Sequence, residues 1–109
     1  MVKQVSFNDL GKVDLVPQAV VHSPLTYFSD RLGFKFEKAI DNLDEHESAF
    51  FKLDDRMPFA LVHYRGNPED KMTIYFARET KQEAIASIVQ NILYELNLPL
   101  SALVWIGSK

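Results

Sequence analysis

Through the middle of the chain, apolar side chains recur at every second position; near its end they recur at every third and fourth. The first spacing belongs to strands with a buried face, the second to a helix with one apolar stripe. Strands are therefore predicted over residues 34–40, 47–54, 58–65 and 72–78. The second sets Ala49, Phe51 and Leu53 against Ser48, Phe50 and Lys52. The third sets Phe59, Leu61 and His63 against Ala60, Val62 and Tyr64, and the fourth Met72, Ile74 and Phe76 against Thr73, Tyr75 and Ala77. The connections "DNLDEH", "DRM" and "GNPEDK" are short and polar, as antiparallel hairpins require.

After these strands, Ala84, Ile85, Ile88, Val89, Ile92, Leu93 and Leu96 form a helical stripe. Thr80 and Glu83 have the spacing of a capping box, and Asn97 and Pro99 supply the stop. Residues 101–106 read as a last strand. Toward the N-terminus, Val2 to Phe7 and Val13 to Val16 read as strands, and Pro17 opens a helical turn through His22. Ser23 and Pro24 suit the cap and first position of a short helix with Leu25, Phe28 and Leu32 on one face. Gly33 is its left-handed stop.

This order predicts an α+β domain: a largely antiparallel sheet of five to six strands with two helices packed on one face. The last strand–helix–strand unit is a crossover, right-handed if its strands are parallel. Two helices cover only one face, yet the middle strands carry apolar side chains on both. The uncovered face is expected to hold Phe50, Val62, Tyr64 and Tyr75, or the alternate set if the phase is opposite. An open apolar face marks a partner or a ligand.

The 109 residues suit one domain spanning 1–109, large enough for a single core. A net charge of −3, with Lys and Arg scattered, offers no general attraction to nucleic acid. There are no cysteines, which excludes disulfides, thiol catalysis and Cys-ligated metals. No apolar run approaches the length that spans a bilayer, and the first residues lack the apolar stretch of a secretory signal. The expected location is cytoplasmic.

Catalytic candidates are few. His63 lies in an apolar strand beside Tyr64, where an imidazole can act as base or ligand; without a fixed partner it satisfies no catalytic geometry. His22 falls at the end of the N-terminal helical turn and His46 in a turn between strands. Asp41, Asp44, Glu45 and Glu47 form an acidic cluster without the calcium-loop pattern, so a solvated hairpin turn accounts for them. Asp54 and Asp55 read as a turn, and Gly66 as a turn glycine. Trp105 and the tyrosines Tyr27, Tyr64, Tyr75 and Tyr94 suit a core, pocket or interface. No catalytic residue, metal ligand set or cofactor site is assigned.

The stretch "PLTYFSDRLGFKFE", with Pro24 at the usual serine, Tyr27–Phe28 at the aromatic pair and Leu32-Gly33-Phe34 after them, resembles the signature of the vicinal oxygen chelate family. That family includes glyoxalases and bleomycin-resistance proteins, and the resemblance spans residues 12–79. It implies one βαβββ module ending near Arg65 and a second module lacking its last two strands, so a closed cup would need a second chain. The family's metal ligands lie on the first and last strands of each module. Only His63 falls on such a strand, which implies a metal-free binder. Two functional readings follow. The first is a non-enzymatic interaction module that docks its own copy or a protein partner on the open face. The second is a metal-free binder of a small aromatic ligand, its pocket completed by a homodimer. Phe50, Val62, Tyr64 and Tyr75 would form the contact surface, with His63 as a polar contact.

Overall fold

The computed structural model describes residues 2–41, 44–64 and 70–107. The strands are β1 (Val2–Val5), β2 (Leu15–His22), β3 (Glu37–Asp41), β4 (Asp44–Leu53), β5 (Met57–Tyr64), β6 (Lys71–Ala77) and β7 (Leu103–Ile106). One α-helix, α1 (Gln82–Glu95), joins β6 to β7 through a 3-10 turn at Leu100–Ala102. The fold is α+β. All strand pairings are antiparallel, in the order β1-β4-β5-β6-β2-β7, and β3 lies along the same side of β4 as β1. Because β2 is antiparallel to both β6 and β7, those two run parallel with β2 between them. No helix among the described residues is long and apolar enough to cross a membrane.

The core lies between the sheet and α1. Register aligns Phe51 with Phe59 and Phe59 with Phe76, so three fully buried phenylalanines cross β4, β5 and β6 in one row. The rings of Phe51 and Phe59 stack at 5.1 Å, and Phe34 meets Phe51 edge-on at 4.7 Å. Ile85, Val89, Ile92, Leu93 and Leu96 of α1 pack on this face, as the stripe predicts. The helix begins without the expected cap. Its cap position is Lys81, and the Thr80 hydroxyl donates instead to the Ala77 carbonyl at 2.7 Å, closing the turn after β6.

The N-terminal third departs most from expectation. Residues 17–22 form strand, not a helical turn: the β-branched Val16, Val20 and Val21 suit a position between two strands. Pro17 is tolerated because Gln18 is an extra residue in the register there and β7 pairs only with Ala19–Val21. The short helix expected after Pro24 is present over residues 25–31, and it winds wide over Tyr27–Arg31, where the Leu32 N–H reaches the Tyr27 carbonyl. Gly33 follows with φ 75°, as its place at the stop requires. Phe28 is fully buried in the core beneath α1, and the Tyr27 hydroxyl donates to the Leu96 carbonyl at 2.8 Å, one of the carbonyls the helix end leaves unpaired. The "PLTYFSDRLGF" stretch thus ties the core to the end of α1. Residues 34–36 are not yet strand; the Gln4 side-chain amide holds both the N–H and the carbonyl of Lys35 in place of a ladder.

Since β1 and β2 flank the β4-β5-β6 meander, the chain between them must cross three strands. It sets off on the face opposite α1: in the 3-10 turn Phe7–Leu10, the Phe7 ring meets Phe50 at 5.3 Å, and Leu10 is buried outside the helix-side core. It arrives at Asp14, which holds Arg78 by its carbonyl and its carboxylate. The face without α1 is therefore strapped, not bare.

The β4–β5 hairpin turns through Asp54 and Asp55 at φ 53° and 58°, with the Arg56 N–H on the Leu53 carbonyl. Both central residues are left-handed, which an aspartate tolerates at a cost and glycine does not feel. The turn read at Gly66 and the strand end read at Arg65 lie outside the described residues. Asp55→Gly is expected to raise unfolding stability by about 0.5–1 kcal/mol, read from urea midpoints at unchanged slope.

Candidate functional site

Side chains alternate along each strand, so the phenylalanine row on the helix side dictates what lies on the other side. Register places Ser48, Val62, Thr73, Val20 and Trp105 in one row across β4, β5, β6, β2 and β7. A neighbouring row contains Phe50, Ala60 and Tyr75. His46 and Tyr64 are partners one step further along. Phe50, Val62, Tyr64 and Tyr75 therefore share the outer face, in the expected phase. His63 does not join them. It alternates with Val62 and Tyr64, stands on the helix side of the sheet opposite Glu47, and is buried with no partner for Nε2 among the described residues.

Nor is the outer face simply open. Tyr64 and Tyr75 sit on adjacent strands, and the Val62–Thr73 pair lies between them in register. Their hydroxyls are hydrogen-bonded at 2.9 Å, closing an arch over that pair. Val62 and Thr73 are each 7% exposed, and Ser48 and Ala60 are also buried. Small residues make the floor, and the larger Phe50, Tyr64 and Tyr75, all half-buried, make the wall. The His46 ring leans on Tyr64 at 5.4 Å, and its Nδ1 is buried without a partner among the described residues. Trp105 closes the row on the β7 side and is exposed.

This arrangement perturbs one group strongly. Burial holds the Tyr75 phenol well above its ordinary value, and the hydrogen bond to Tyr64 adds to it. At the edge of the same face the His22 ring bonds the Asp70 carboxylate and holds it below the usual range. Sequence reasoning missed this pair because the chain separates its members by 48 residues. It also missed Thr73 and Ser48 as floor residues; their alternation with Met72 and Ala49 was the available signal.

Other candidates disperse. The turn at Asp54 and Asp55 is exposed. Asp41 and Asp44 are register partners closing the β3–β4 hairpin, and residues 42 and 43 lie outside the described residues. Lys3 and Lys52 face each other across β1 and β4 and share a groove with Asp9 and Asp55, which balances their charge. Among the described residues, no group of three or more His, Asp or Glu is placed to hold a metal ion.

A phenol that holds its proton more tightly in the folded state contributes stability that is fully present below the unfolded tyrosine pKa of about 10. That contribution is lost as the pH rises through the raised value. Urea midpoints should fall from about pH 10 upward, and fall less in Tyr75→Phe. An equal fall in both proteins would show that the phenol carries no such contribution.

In comparisons with known proteins, no protein-family model, curated protein or solved structure matches the chain.

Proposed function

We propose that this domain is a non-enzymatic interaction module that docks a protein partner or its own copy on the outer face of the sheet. The observation that carries the reading is the composition of that face. Register gathers Phe50, Tyr64, Tyr75 and Trp105 there around a floor of small side chains, and the 3-10 turn after β1 adds Phe7 on Phe50. Tyrosine and tryptophan supply large contact area at low entropy cost and dominate interface energetics. The arch between Tyr64 and Tyr75 also fixes both rings in place, which reduces what binding must order.

A second reading is a metal-free binder of a small aromatic ligand, similar to bleomycin-resistance proteins. It is favoured by His46 Nδ1, buried with no partner among the described residues beside the Tyr64 ring, which offers one polar contact in an aromatic setting. A ligand of that kind raises the unfolding temperature with its concentration. A protein partner or second copy instead changes the solution mass.

Tyr64→Ala and Tyr75→Ala should each weaken association by about 1–4 kcal/mol if the rings are anchors. Association is followed by light scattering over a concentration series, with circular dichroism confirming the fold. Unchanged association in both variants would remove the outer face as the contact surface.

A further inference from the structure

We draw no further inference here: the strongest candidate, the side-chain cluster of His46, Tyr64 and Tyr75 on the outer face of the sheet, belongs to the site already described.

Discussion

The register of the β4-β5-β6 meander is the constraint on which the rest of this structure depends. Phe51, Phe59 and Phe76 stand side by side beneath α1, and burying all three fixes the phase of three strands together. A one-residue slip would turn a phenylalanine to the opposite face and bring in Phe50 or Lys52 on β4, Pro58 or Ala60 on β5, or Tyr75 or Ala77 on β6. Each large aromatic side chain truncated in a core costs about 3–5 kcal/mol, which is a large part of a domain's net stability. The alternation on the outer face is thus enforced from the helix side. Tyr64, Tyr75, Val62 and Phe50 are where they are because the phenylalanines cannot be anywhere else.

That enforced face has been finished in two ways. At one end the β1–β2 connection runs over it, with Phe7 on Phe50 and Leu10 buried. In the middle the two tyrosine hydroxyls meet above Val62 and Thr73. What is left in water lies at both sides of the face, with Phe7 over β4 and Trp105 on β7, the end of a row that begins at Ser48. The Tyr27 hydroxyl at the end of α1 and the Gln4 amide on Lys35 do comparable work on the helix side, each satisfying backbone groups that no ladder reaches.

Much of this was legible in the sequence because it was written in period two. The four middle strands, the α1 stripe, the α+β class and the shared face of Phe50, Val62, Tyr64 and Tyr75 all follow from alternation that survives at every position. What was not legible depended on distant partners. Pro17 reads as a helix opener until β6 is set beside it and Gln18 becomes a bulge. The short helix after Pro24 was legible from its spacing and its Gly33 stop, but its wide winding over Tyr27–Arg31 was not. Thr80 had the spacing of a cap, and the Ala77 carbonyl took its hydroxyl. His63 was grouped with its chain neighbours, although alternation puts a residue and its neighbour on opposite faces. The strap over the outer face could not be foreseen either, since it follows from β1 and β2 flanking the meander, and strand order is not encoded locally.

The central claim is that the Trp105 end of the outer face is covered when the domain works. Trp105 is the chain's only tryptophan, so its fluorescence reports on that point alone. Quenching by iodide should be measured on the purified chain across a wide dilution series. The account predicts that the quenching constant falls as concentration rises, because association removes the indole from water. A constant that stays at the value of a half-exposed indole at every concentration would contradict docking of the chain on its own copy.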